Sequence, residues 1–387
     1  MSKEGPGILP AEYAGCGFIF LKKLCPVLSG GAGCSGTLDG SSSMKNPLLL
    51  LTGALLTLAA PFTQAANSSI TYAAQPGAGQ GKHLVFVSGD EEYRSEEGLP
   101  MLAKILSQRH GFRCTVLFSL GEDGTIDPNN QKSLSQPEAL DTADGIVMLA
   151  RFRNWPDETF GRFDAARKRG VPIVALRTST HAFRVSEGAF KGYSQFGKDV
   201  LGEGWVSHWG KHAFEATRGL IEPGAENEPI LRGVKDVFGP TDVYEAHPPQ
   251  DARVLLRGQV LKGMNPNDPP AAYVKKRATD KAEQDVNTPM MPVAWTRTVP
   301  NEGGKPNRVF CTTMGAATDL ESADLRRLVV NAVYWGLELQ VPSAADVTYV
   351  DPFYPLPYGF KKFRQGVTPD DHALGRSLPQ ITPGSQK

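Results

Sequence analysis

Ten consecutive residues, Ser88-Gly-Asp-Glu-Glu-Tyr-Arg-Ser-Glu-Glu97, carry five carboxylates and one arginine. Carboxylates held close together raise one another's pKa, which suits one of them to give or take a proton. They also accept hydrogen bonds from sugar hydroxyls. The second half, Ser95-Glu96-Glu97, reads as a helix start: a serine that can cap, then acids favoured by the positive end of the helix dipole. Pro100, which belongs in a first turn, moves the expected helix start toward Gly98. Asp90 to Arg94 come too early for that explanation. Glu92 is therefore expected to exchange protons, with Glu91 and Arg94 contacting a substrate. An ion pair between Arg94 and one of the acids is the structural alternative.

Two further segments could share this chemistry. Arg177-Thr-Ser-Thr-His181 follows an apolar run, where α/β folds place a nucleophile, yet Gly-x-Ser-x-Gly is absent and no cysteine stands there. His181 is expected as the acid or base partner of Glu92, with Arg177 orienting oxygen atoms. Trp205-Val-Ser-His208-Trp209-Gly-Lys-His212 offers rings that could stack on a sugar face and imidazoles that could hold its hydroxyls. On a helix, His208 and His212 would share a face and could hold zinc, but Gly204 and Gly210 argue against a helix, and no third ligand stands at diagnostic spacing. No cofactor is expected on this reading; zinc on His208 and His212 is the alternative. Thr312 to Asp319 is either a ligand approach or a tight strand-to-helix turn. No phosphate loop, kinase set or His-Glu-x-x-His is present.

These groups need elements to hold them. Apolar runs predict strands at His83–Ser88, Phe112–Ser119, Gly145–Ala150 and Val171–Leu176. Amphipathic segments around Leu99–Leu106 and Phe160–Ala166 predict helices between them. Strands alternating with such helices make a parallel sheet covered on both faces. Ligands bind such sheets beyond the carboxyl ends of the strands. The acidic segment, Ala150-Arg-Phe-Arg-Asn154 and Arg177–His181 therefore share one rim. Residues 184–290 are irregular apart from a strand at Arg253–Val260. The sheet resumes at Pro292–Thr298 and Arg308–Thr313, and Ser322 caps a last helix.

The chain of 387 residues balances 41 basic against 41 acidic side chains, so nothing in its charge asks for a nucleic acid. Residues 44–65 have a charged start, an apolar middle and small residues at the end, the pattern of an export signal. The apolar run is too short for a stable membrane anchor, which needs about 20 residues. A periplasmic or secreted protein is expected. Residues 1–43, with Cys16, Cys25 and Cys34, read as a disordered or non-native leader, 66–82 as a linker, and 342–387 as an extended tail. Cys114 and Cys311 lie in strand-like runs as buried thiols, with a disulfide between them the alternative.

The order of motifs resembles the ThuA-like (trehalose utilisation) family. The likeness rests on Glu92-Tyr-Arg-Ser-Glu-Glu97, Asp144–Leu149, Arg169–Arg177, Arg308–Gly315 and Leu325–Trp335, and spans about His83 to Val341. It implies an α/β, flavodoxin-like, class I glutamine amidotransferase-like three-layer sandwich with a mostly parallel sheet and no amidotransferase activity, linked to disaccharide or ketosugar metabolism. The family's Gly-Leu-His elbow reads Ala175-Leu176-Arg177 here, with His181 four residues on. The function expected is an exported protein that acts on or binds a small-molecule carbohydrate through acid–base chemistry. A non-catalytic sugar-binding or scaffold module and a zinc-dependent hydrolase are the alternatives.

Overall fold

Strand β2, His83–Gly89, is apolar along nearly its whole length and buried throughout, which only a central strand allows. Its Leu84 and Phe86 enter one hydrophobic cluster while Val85 and Val87 enter another, so the sheet is covered on both faces. Helices α1, Ser95–His110, and α3, Ala323–Gly336, fill the first cluster; α2, Asp157–Lys168, fills the second with Phe160, Phe163 and Ala166. Each fully buried phenylalanine or leucine of these clusters contributes about 1.5–3 kcal/mol.

The structure, a computed structural model, describes residues 67–380; the expected leader (1–43) and signal segment (44–65) lie outside the described residues. The remaining strands of the sheet are β1 Ser69–Tyr72, β3 Arg113–Leu117, β4 Gly145–Ala150, β5 Ile173–Leu176, β6 Thr217–Ile221, β7 Val237–Gly239, β8 Arg253–Val260, β9 Met291–Val299 and β10 Asn307–Thr312. Their spatial order is β1-β3-β2-β4-β5-β10-β9-β8-β6-β7. From β3 to β10 the pairings are parallel; the β9-β8-β6-β7 extension and β1 pair antiparallel. The expected parallel character thus belongs to the half of the sheet that ends at the polar rim.

Several expectations change. Residues 66–82 supply an edge strand, β1, rather than only a linker. The C-terminal segment after Val341 has little regular structure but is bound along the domain: Arg364 pairs with Glu97 at 3.1 Å, and the same carboxylate accepts Leu356 N–H at 2.8 Å. Cys114 on β3 and Cys311 on β10 are free and buried in different clusters. Three strands separate theirs, about 19 Å at the usual interstrand spacing, far beyond disulfide reach.

Helix α1 starts at Ser95 and carries Pro100 inside it, rather than starting near Gly98. Arg94, at φ 58°, turns the chain so that its carbonyl accepts Glu97 and Gly98 N–H, both at 3.0 Å. The acids of this turn are not a solvated helix start either. Glu97 anchors the C-terminal segment, and Glu96 is buried with neither carboxylate oxygen hydrogen-bonded. Burial pushes its carboxyl up to about 8. A raised acid pKa means the folded state binds the proton more tightly. Stability from this group is therefore intact below the ordinary value and falls as pH rises toward 8. Glu96→Gln should gain on the order of a few kcal/mol over wild type at pH 8.5, and little at pH 4.5. Urea unfolding at the two pH values checks it; an equal difference at both would refute the assignment.

Candidate functional site

Beyond the carboxyl end of β2 the backbone makes a tight turn organised by Asp90. Its Oδ1 accepts Glu92 N–H at 2.7 Å and also Tyr93 N–H; its Oδ2 takes the Thr178 hydroxyl. Gly89 is required just before the turn, because a Cβ there would stand 2.8 Å from Arg153 Cδ. Asp90 is thus a buried scaffold, and it throws Glu91 and Glu92 toward the rim. Glu91 is paired within the protein. It is clamped by Arg151 and by Arg153, the latter at 2.9 Å. Burial and the adjoining Asp90 push the Glu91 carboxyl up against the pull of the two arginines. Arg94 is also spoken for: fully buried, it donates to Gly359 O of the C-terminal segment, and Gly359 N–H returns 2.8 Å to Glu92 O. Of the two adjacent acids, Glu92 is the one whose carboxylate meets His212 at the rim.

The second part of the site is built on Arg177, at the end of β5. Its guanidinium is fully buried between the rings of Tyr93 and Tyr244, at 4.6 and 3.9 Å from their centroids. It donates to Asp242 O and Thr313 O at 2.7 Å and to Asp242 Oδ1 at 2.9 Å. With these bonds made, Arg177 holds protein groups rather than substrate oxygens. Asp242 is positioned by a latch below it. Asp319, fully buried, accepts Thr241 N–H and hydroxyl at 3.1 and 2.7 Å, and Gly315 and Ala316 N–H at 2.9 and 3.1 Å. The Thr312–Asp319 segment is therefore a strand-to-helix turn that ties down the chain before Asp242.

Asp242 presents its carboxylate to two histidines: His208 Nδ1 lies 2.8 Å from Oδ2 and His212 Nδ1 lies 3.0 Å from Oδ1. The two rings are 4.5 Å apart. His212 Nε2 faces Glu92 Oε1 at 3.3 Å. Burial alone would raise the Asp242 carboxyl; Arg177 and the two histidines overcome that and hold it well below the usual range. Hydrogen bonds to Asp242 and Glu92 raise His212 to about 9. The three side chains His208, His212 and Asp242 offer ligand atoms that all lie within 4.8 Å of one another, so this cluster could hold a metal ion.

His181 does not converge on Glu92. Its Nδ1 meets Thr180 Oγ1 at 3.1 Å, and its ring lies against Phe152 and Trp205, at 5.1 and 5.8 Å. Burial, with Arg151 and Arg177 nearby, pushes its pKa well down and keeps it neutral. The partner of Glu92 is His212. Trp209 does not wall a pocket: it is fully buried and donates to Val286 O at 2.8 Å. Trp205, 44 % exposed, remains at the rim beside His208. The C-terminal segment adds Tyr358, 5.6 Å from the His212 ring, and half-exposed Phe360 beneath the Arg151 guanidinium.

Sequence reasoning missed Asp242, Arg151 and these two aromatics as site residues. Arg151 lay within a segment placed on the rim, so its signal was present. Asp242 sits in the irregular region, and its position depends on Asp319, 77 residues on by the numbering. Nothing local marks it.

The profile of the ThuA family, described as trehalose utilisation, matches residues 82–336. Tyr358 and Phe360 lie beyond that match. No curated protein matches the chain. Similar solved structures include a ThuA-like protein from Parabacteroides merdae, at 14% identity and TM-score 0.42, covering 66% of this chain and 90% of that one. Another is a ThuA-like protein from Bacteroides uniformis, at 16% identity and TM-score 0.42, covering 68% and 93%.

His212 ties this geometry to pH. A histidine whose folded pKa is raised from 6.5 to about 9 contributes stability that is complete below 6.5 and is lost as pH climbs through 9. In chelator-treated protein, wild type should therefore lose stability across that window relative to His212→Gln. Unfolding curves measured every half pH unit check this; parallel pH profiles for the two proteins would count against the assigned hydrogen bonds.

Proposed function

The chain belongs to the ThuA, trehalose utilisation, family, and from that premise we propose that it binds a sugar or ketosugar at the rim formed by Glu92, His208, His212 and Trp205 and acts on it by proton transfer. The observation that carries this reading is the mixture of surfaces at one point. Partly exposed imidazoles and a carboxylate stand beside partly exposed aromatic rings, Trp205 and Phe360. A sugar presents the matching surfaces, hydroxyls at its edges and C–H groups on its faces. Other polar side chains nearby, Asp90, Glu91, Arg94, Arg153 and Arg177, are bound to the protein itself. They fix the site and do not recognise a ligand.

Glu92 is the group assigned to proton movement. Its carboxylate meets His212 Nε2 at 3.3 Å and stands 4.0 Å from Arg151 Nε, two contacts that fix it at the rim. A sugar carbonyl or hydroxyl set between Glu92 and His208 would meet an acceptor on one side and an imidazole on the other. The fold assignment at the finer level, a flavodoxin-like three-layer sandwich of amidotransferase type without its nucleophile, accords with this. Ala175-Leu176-Arg177 leads into a structural arginine where that chemistry needs a cysteine or serine. Export is part of the same proposal, supported by the pattern of residues 44–65.

The test is direct titration and turnover with trehalose, other glucosyl disaccharides and their keto forms. Trp205→Ala should weaken binding about tenfold, the loss of roughly one aromatic contact. Glu92→Gln should leave affinity within a few-fold and cut turnover by 10²–10⁴-fold, the usual worth of a positioned acid or base. If Glu92→Gln turns over at the wild-type rate, the proton-transfer assignment fails. Saturable binding with no product from any sugar would leave a binding module instead.

A further inference from the structure

We infer that His208, His212 and Asp242 form the protein-ligand set of a divalent transition-metal site, with Glu92 steadying His212 from the other side of its ring. The inference deepens the proposed function, because the site is the same one, but it rests on geometry that stands whatever the substrate is.

The donors come from two separated parts of the chain and converge on one point. His208 lies in the two-residue strand Ser207–His208, which pairs with Tyr244–Glu245, so His208 and Asp242 are brought together by that short ladder. His212 follows after one turn. The two imidazoles direct the same atom, Nδ1, at different oxygens of one carboxylate, at 2.8 and 3.0 Å. A tetrahedral ion with bonds of about 2.1 Å separates its donor atoms by roughly 3.4 Å, so the ion is admitted when these contacts open by a few tenths of an ångström and the three donors, already within 4.8 Å of one another, close around it. Two imidazoles and one carboxylate, with the remaining positions facing the rim, is a donor set used for zinc and for ferrous iron in catalytic sites.

A hydrogen-bond network alone accounts for this less well. Asp242 already has a buried counter-ion in Arg177, at 2.9 Å. It does not need two further imidazoles 4.5 Å apart to satisfy it. A cation between the rings gives both Nδ1 atoms a reason to face the same place. The surroundings are those that metal sites require. A ligating histidine usually gives its other ring nitrogen to a carboxylate, which fixes its tautomer; here His212 Nε2 faces Glu92 Oε1 at 3.3 Å. Ligating carboxylates are themselves held, and Arg177 does so for Asp242. The loop bearing both histidines is fixed by Lys275, which donates to His208 O and Trp209 O at 2.6 and 3.0 Å, and by Trp209 and Gly210 N–H on Val243 O at 2.8 and 3.0 Å. The outer edges of His208 and His212, about a third exposed, leave the ion reachable by a ligand oxygen. When bound, such an ion would polarise a sugar carbonyl or hydroxyl beside Glu92.

The experiment uses the full chain carrying no polyhistidine tag, stripped with chelator and dialysed against Zn²⁺ or Co²⁺. Metal content is measured by mass spectrometry and Co²⁺ ligation by its visible absorption. A single equivalent per chain is expected, with a Co²⁺ band that Zn²⁺ displaces. His208→Ala, a change at a partly exposed side chain, should weaken the metal by at least about 100-fold while circular dichroism stays that of the wild type. Glu92→Gln should weaken it about 10- to 100-fold. A folded wild-type protein with far less than one equivalent and no Co²⁺ band would overturn the proposal, as would unchanged metal affinity in folded His208→Ala. Sugar titrations on the same samples keep the two readings apart. Metal bound with no sugar recognised retains this site and defeats the proposed function; sugar turned over by folded protein that takes up no metal retains the proposed function and defeats this site.

Discussion

The buried ion pair between Arg177 and Asp242 is the contact on which the rest of the site depends. Both side chains are shielded from water, and withdrawing two charges from solvent costs several kcal/mol each, so the pair persists only because its hydrogen bonds are supplied. Arg177 meets that condition with two carbonyl oxygens and the carboxylate, and with tyrosine faces above and below. Asp242 meets it with Arg177 on one side and two imidazoles on the other. Removing either partner would leave an unpaired buried charge, an effect of about 3–5 kcal/mol, and would release the histidines from their shared orientation. The ion pair is therefore less a source of stability than the means by which a sheet edge fixes two imidazoles in space.

The parallel half of the sheet explains why this pair stands where it does. β2, β4 and β5 end side by side, and each is followed by a residue in an unusual backbone conformation near the rim: Arg94 at φ 58°, Phe152 at φ 53° and Arg177 at φ 43°. Non-glycine residues held at positive φ cost on the order of 1–3 kcal/mol each and persist where surrounding contacts over-determine them. All three are so held, Arg94 by Gly359 O, Phe152 by its N–H on His181 O at 3.0 Å, and Arg177 by Thr313 O and its N–H on Met314 O. The antiparallel extension contributes differently. It ends with β7, whose following residues carry Asp242 across to meet Arg177, latched by Asp319 from the turn before α3.

How far the sequence disclosed this follows from the range of each interaction. Strand and helix periodicity is local, so β2, β4, β8 and α3 were readable to within a residue or two. That three strand ends share a rim follows from topology, and Glu92, His208 and His212 were found on it. Residue roles inside the rim were less readable. Trp205 and Trp209 are four apart in similar surroundings, yet one is open and the other is buried, with its indole N–H on Val286 O and Lys275 over its ring. Glu91 and Glu92 are adjacent, and what separates them is which one Arg153 can reach. His181 was paired with Glu92 on proximity of strand ends, but its short helical turn directs it toward Phe152. Asp242 and Tyr358 carry no local pattern, being fixed by partners far along the chain.

The C-terminal segment brings these threads together. It lies beyond the family match, yet its Gly359 bonds both Arg94 and Glu92 backbone, its Arg364 neutralises Glu97, and its Tyr358 stacks on Tyr93 at 5.4 Å. Tyr93 is the ring beneath Arg177. The segment is thus coupled through one aromatic stack to the ion pair and, through the hydrogen bond from Gly359 N–H to Glu92 O, to the backbone of that residue. Without the segment, Arg177 and Asp242 would still hold one another, and the Asp90–Arg94 turn would lose this brace. What the core supplies is the position of the two imidazoles; what the added segment supplies is the rigidity of Glu92 and, with Phe360, one aromatic wall.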